Sequence, residues 1–140
     1  MQVKVAVPPF GRRSCVLAVL AVVGAAAAIA AERSFPFDQE LLLDTAPIRG
    51  SKRIPSIEVL SNGLAMIDLW CASGRGRVRV EGPAISIVPH TMAPAPCPPE
   101  RLQRDADMLS VLTQVTTWRR EGDAVVLIGP QTLRYRVSSH

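Results

Sequence analysis

Apolar and polar positions alternate with a period of two through most of the chain from residue 57 onward, and one stretch after residue 99 changes to a period near 3.6. The pattern predicts a sheet interrupted by a single helix. Ile57 and Val59 alternate with Glu58 and Leu60 up to Ser61-Asn62-Gly63, where Asn-Gly predicts a hairpin with a type I′ turn. The returning strand, Leu64 to Cys71, sets Ala65, Ile67, Leu69 and Cys71 against Leu64, Met66, Asp68 and Trp70, and the first set should meet the core. Ser73-Gly74-Arg75-Gly76 breaks the run. Arg77-Val78-Arg79-Val80-Glu81 then alternates charge with valine, as a sheet wetted on one side does, and Gly82-Pro83 turns it back into Ala84–Val88.

Five prolines between Pro89 and Pro99 predict a loop, because proline denies the backbone regular ladder bonding. The helix follows, with Leu102, Ala106, Leu109, Val111, Leu112 and Val115 on one broad apolar stripe and Arg101, Arg104, Asp107 and Gln114 facing away. Pro99 suits its first turn and Glu100 its dipole. Glu121-Gly122-Asp123 and Gly129-Pro130-Gln131 are turns, so Ala124–Ile128 reads as an inner strand and Thr132–Val137 as the last one. Ahead of the first hairpin, residues 34–44 read as an extended lead-in followed by a short helical turn or two, stopped by Pro47. The fold class expected is α+β: a curved, mostly antiparallel sheet of about six to seven strands, in the order meander, helix, C-terminal hairpin. The helix packs across the open side of that sheet.

The first 31 residues change how the charge is read. Lys4, Arg12 and Arg13 precede an apolar run from Cys15 to Ala31 that ends in small residues, the three-part form of a signal peptide, with cleavage expected at Ala31 or Glu32. An uncleaved anchor is the alternative reading, since the run approaches the length needed to span a bilayer. Cys15 begins the apolar run instead of following it, so no lipid attachment is expected there. The formal charge of +4 loses three basic residues and no acid on cleavage, leaving 13 basic against 12 acidic side chains, or +1. A near-neutral domain over residues 32–140 gives no reason to expect nucleic acid as a partner, and no membrane span after cleavage. Periplasmic or secreted localisation and a monomer are expected.

Export also bears on the cysteines. Cys71 and Cys97 remain in residues 32–140, and oxidising compartments let disulfides persist. A bond between them would contribute roughly 3 kcal/mol on chain-entropy grounds; two buried free thiols are the alternative. Zinc ligation by these cysteines with His90 and His140 lacks the clustered spacing such sites use, so no metal and no cofactor are expected. His90 and His140 fall in no recognisable triad motif, and no Gly-x-Ser-x-Gly element is present, so no catalytic residues are assigned. Trp70 and Trp118 read as packing residues. Arg75, Arg77 and Arg79 recur at period two and would line one face of a strand, either as its ordinary solvated side or as a surface that grips carboxylate or phosphate. Arg134 and Arg136 would extend that surface if the two rows are neighbours.

The order of these features resembles the META domain, the family that includes the HslJ-like heat-shock proteins of the bacterial envelope. The likeness rests on Ser61-Asn62-Gly63, Cys71 near the second strand's end, Thr91-Met92 followed by Cys97, and the helix with an acidic residue ahead of Leu109 and Leu112. Glu121-Gly122-Asp123-Ala124-Val125-Val126-Leu127 and Leu133-Arg134-Tyr135 complete it, over roughly residues 54–137. Two departures stand beside it. The family's compact Thr-Met-Met-Ala-Cys element is spread over Thr91 to Cys97, and the usual Cys-Asn is replaced by Cys71-Ala72. The resemblance implies a non-catalytic, stress-associated binding or structural domain of the periplasm, with an envelope protein, peptide or lipid as partner. A small secreted or periplasmic hydrolase whose site is not evident from sequence is the alternative.

Overall fold

The computed structural model describes residue 6 and residues 34–93 and 95–139; the predicted signal segment, its cleavage position and His140 lie outside the described residues. Eight strands run β1 (Glu40–Leu43), β2 (Ser56–Val59), β3 (Leu64–Asp68), β4 (Ser73–Glu81), β5 (Ala84–Ala93), β6 (Thr117–Glu121), β7 (Ala124–Ile128) and β8 (Thr132–Val137). The helix α1 (Pro99–Thr113) is inserted between β5 and β6. Each strand pairs antiparallel with the next, and β1 pairs with β8 through Leu41↔Val137, Leu42↔Arg136 and Leu43↔Tyr135, so the sheet closes into a barrel. The fold is α+β with one helix packed on an antiparallel sheet, as the pattern predicts, but with eight strands and a sheet closed on itself.

The additional strand is β1, where helical turns were expected. Its Leu41 and Leu43 are buried while Glu40 and Leu42 are half-buried, a period of two that meets β2 on one side and β8 on the other. A three-leucine run carries no periodicity of its own, and a helix of one or two turns does not sustain its nucleation cost. The neighbours therefore decided its conformation.

The second difference is that β4 and β5 form a long hairpin that includes both the Ser73–Gly76 break and part of the proline segment. Gly74 and Gly76 sit inside β4 at a register shift, where the β5 backbone comes close: a Cβ on Gly74 would collide with the Thr91 carbonyl and Met92. Pro89 is tolerated because it stands opposite Gly76 at the register shift in the β4 ladder, and because β5 meets β6 only at Ala84↔Thr117, which leaves its other side without a ladder to interrupt. That single contact is reinforced by Ile85 N–H to the Thr116 carbonyl (3.0 Å) and Trp118 N–H to the Pro83 carbonyl (2.9 Å). It is the barrel's narrowest seam.

The first hairpin also differs in detail. Gly63 has φ +81°, whereas Asn62 keeps a negative φ, so the turn is not type I′. Gly63 N–H donates to the Leu60 carbonyl (2.8 Å) and Leu64 N–H donates to Asn62 Oδ1 (2.9 Å), the three-residue loop that ends in a left-handed glycine.

The core contains Leu41, Ile57, Ile67, Leu69, Leu112, Leu127 and Tyr135 from nearly every element. Trp70 and Trp118 are buried; Trp118 donates Nε1–H to the Gly82 carbonyl (2.8 Å) and meets Phe35 edge-on with centroids 5.1 Å apart. The buried face of α1 is turned away from the expected stripe. Met108 and Leu112 are buried with Asp105, Leu109 and Val111 are half-buried, and Leu102 and Ala106 are exposed. Among the described residues no helix is long and apolar enough to cross a membrane.

Tyr135, the chain's single tyrosine, carries a consequence for pH. Burial alone pushes its phenol well above the ordinary value near 10. The unfolded chain therefore loses this proton first. Tyr135 contributes its full stability below about pH 10, and that contribution falls as pH rises further. Tyrosinate absorbance should appear only together with loss of the native tryptophan signal, and Tyr135→Phe should flatten the alkaline limb of the stability profile. Tyrosinate formed in the still-folded protein near pH 10 would contradict this.

Candidate functional site

Two places on the barrel gather the residues singled out in the sequence. The first is the turn after β3. Leu69 N–H donates to the Ala72 carbonyl (2.8 Å), bending the chain so that three successive N–H groups point to one spot. Asp105, on the inward face of α1 and 3% exposed, receives all three: Trp70 N–H at 3.0 Å on one oxygen, and Cys71 N–H at 3.0 Å and Ala72 N–H at 2.6 Å on the other. A carboxylate is the acceptor with enough lone pairs for this task, and its charge strengthens each bond. From the other side Arg53 donates to the Cys71 carbonyl (3.3 Å), to Asp68 (3.0 Å) and to Ser73 (2.8 Å). Cys71 is joined to Cys97 by a disulfide, with Cα atoms 6.1 Å apart, directly ahead of α1. The turn is therefore tied to the helix by one covalent bond and three charge-assisted hydrogen bonds.

Sequence reasoning missed Asp105 because an aspartate inside a helix is ordinarily solvated. Its signal was positional: Asp105 stands three residues before Met108 and seven before Leu112, on the face those two bury.

The second place is the outer face of β4. Arg75, Arg77 and Arg79 are all exposed and share one side of the strand, as their spacing predicts. Arg77 lies opposite Val88 and Arg79 opposite Ser86 on β5, and Val88 is an exposed large apolar side chain. Beside them, between the β2–β3 turn, the segment at Phe37 and the β4–β5 hairpin, lies a groove of about 850 Å³. Its lining includes Arg77, Arg79, Asn62, Ser86, Phe37 and Val88, and no acidic residue.

Pairing distinguishes this face from the rest of the barrel. On β6 and β8, Arg119 meets Glu121 (2.7 Å), Arg120 donates to the Gly122 carbonyl (2.8 Å), Arg134 meets Glu121 and Asp44, and Arg136 meets Asp44 (3.4 Å). The two guanidinium groups beside Glu121, Arg119 first and Arg134 next, hold its carboxyl below the usual carboxylate range. On β4, Arg79 makes only a long ion pair with Glu81 (3.8 Å) between two largely exposed side chains, and Arg75 and Arg77 have no ion pair or side-chain hydrogen bond among the described residues. The Arg134 and Arg136 row does not extend this surface, because β1, β2 and β3 lie between β8 and β4 and those arginines are already neutralised.

His90 is exposed on β5, and the sulfur of Cys71 is engaged in the disulfide. Among the described residues no three potential metal ligands come together.

Residues 39–139 match the family model described as the META domain. A solved structure described as the NMR structure of a protein is similar, with a TM-score of 0.54 at 15% identity over 71% of this chain and 88% of that one, a likeness of fold. No curated protein matches the chain.

Proposed function

The chain belongs to the META domain family, and from that premise we propose that it is an exported, non-catalytic domain of the bacterial envelope that binds a periplasmic component through the face of β4. The family-level reading is of an envelope- and stress-associated protein. The observation that carries the binding reading is the contrast in pairing: the arginines of β6 and β8 are matched with acceptors, while on β4 Arg75 and Arg77 have none and Arg79 has only a long, exposed contact with Glu81, beside a groove without acids. Desolvating a guanidinium against an unpaired neighbour is unfavourable, so cations left in the open beside a concavity favour an anionic occupant. The disulfide between buried Cys71 and half-buried Cys97 supports an oxidising compartment. With the sulfur of Cys71 bonded, the chain's best-placed thiol is not available as a nucleophile, which supports a non-catalytic role.

The test is capture from envelope extracts with the tagged protein and with an Arg75, Arg77, Arg79 triple-alanine variant, together with mass measurement of the protein recovered from the periplasmic fraction. A mature start near Glu32 and partners lost by the variant are expected. Identical partners for both proteins would reject the β4 face, and recovery only from the cytoplasm would reject export.

A further inference from the structure

We propose that the β4 groove takes an extended peptide segment with acidic side chains at alternate positions. The inference rests on the binding reading above and specifies its ligand. Arg75, Arg77 and Arg79 leave the strand at alternate backbone positions about 6.6–6.8 Å apart, the same repeat that alternate residues have in any other extended chain. A segment laid along β4 can therefore present one carboxylate to each of Arg77 and Arg79, which line the groove, and a third to Arg75, which follows on the same face beyond the lining at the register shift, each pair able to form the two-pronged contact that guanidinium and carboxylate favour.

The remaining lining fits the rest of such a segment. Val88, 48% exposed and directly opposite Arg77, offers apolar contact beside the central cation, and Phe37 extends that surface. Ser86 and Asn62 supply hydroxyl and amide groups for the segment's backbone. Asn62 has its Oδ1 engaged by Leu64 N–H, which leaves its two N–H donors for a carbonyl.

Other linear anions suit the face less well. Among the described residues both tryptophans and Tyr135 are buried, which leaves the half-buried Phe37 as the single aromatic ring lining the groove, fewer than the successive rings on which single-stranded bases stack. A lipid headgroup offers a single phosphate, and three arginines in a row, at about 1 kcal/mol each near an anionic surface, do not make a stable anchor for a near-neutral domain.

The experiment uses the full chain in its disulfide-bonded form and fluorescence anisotropy with a labelled Glu-Val-Glu-Val-Glu peptide. Its isomer Glu-Glu-Glu-Val-Val, phosphatidylglycerol vesicles and a single-stranded oligothymidylate serve as competitors. The alternating peptide should bind at least five-fold more tightly than its isomer, Arg77→Glu should weaken it ten-fold or more, and the variant should keep its melting temperature. Equal affinity for the two peptides, or stronger Arg77-dependent binding of vesicles or oligonucleotide, would overturn the peptide assignment while leaving an anion-binding face in place. Binding of none of these probes, or binding unaffected by Arg77→Glu, would overturn both the assignment and the reading it rests on.

Discussion

Asp105→Ala is expected to destabilise the barrel by about 3–5 kcal/mol. Three N–H groups, of Trp70, Cys71 and Ala72, would lose their acceptor at a buried turn, and each unsatisfied buried donor costs on the order of 1–3 kcal/mol. Water admitted to the space left by the carboxylate would recover part of that, which sets the estimate below the simple sum. Small domains have total stabilities of only about 5–15 kcal/mol, so a large share of the native margin rests on this one side chain. Urea unfolding followed by tryptophan fluorescence measures it directly, since Trp70 lies in the turn itself. Asp105→Asn serves as the companion, because it keeps one acceptor oxygen but sets an amide N–H2 against N–H donors. A loss of about 2 kcal/mol, between wild type and alanine, is expected for it. A loss below about 1 kcal/mol for the alanine variant would show that the three N–H groups find other acceptors.

Opening the disulfide is expected to have the next largest effect. Cys71 and Cys97 are separated by 26 positions, and restricting a loop of that length in the unfolded chain stabilises the native state by about 3 kcal/mol. For a domain near 100 residues that corresponds to a fall in melting temperature on the order of 12 °C or more. The comparison is calorimetry of the oxidised protein with the Cys71→Ser, Cys97→Ser double variant, which avoids leaving a lone reactive thiol. Alkylation without reductant should label neither cysteine in the wild type. An unchanged melting temperature in the double variant would show that Asp105 and Arg53 hold the turn unaided.

Much of the architecture was legible because it rests on local periodicity. The alternation correctly places Ala65 and Ile67 inside along β3, which ends at Asp68 and not at Cys71; Leu69 and Cys71 are buried from the turn that follows, together with Trp70, and turns marked by Gly63, Gly82 and Gly122 fall where the glycines adopt positive φ. Arg75, Arg77 and Arg79 share an exposed face because strand geometry requires it. What was not legible depends on neighbours distant in sequence. Glu40–Leu43 becomes a strand only because β2 and β8 flank it. Thr91 and Met92 stay in a strand despite the prolines around them because Gly74 lets the two backbones approach.

The candidate site divides along the same line. The arginine row is a property of one strand, visible in its spacing, but the lack of partners at Arg75 and Arg77 is a fact about which strands are adjacent. Arg134 and Arg136 have the same period of two and read alike in sequence; Asp44, delivered by the chain just beyond β1, neutralises them and not the β4 row.

By itself the sequence determined the class of fold, the order of its elements from β2 onward, the two cysteines available for a bond and the outward row of arginines, because each follows from backbone geometry or from composition within a few tens of residues. Only the tertiary structure decided that the sheet closes, which face of the helix is buried and that Asp105 holds the turn. It also decided which arginines remain free. Those outcomes depend on burial and on acceptors supplied by remote segments, and in such places the cost of leaving a polar group unpaired outweighs local preference.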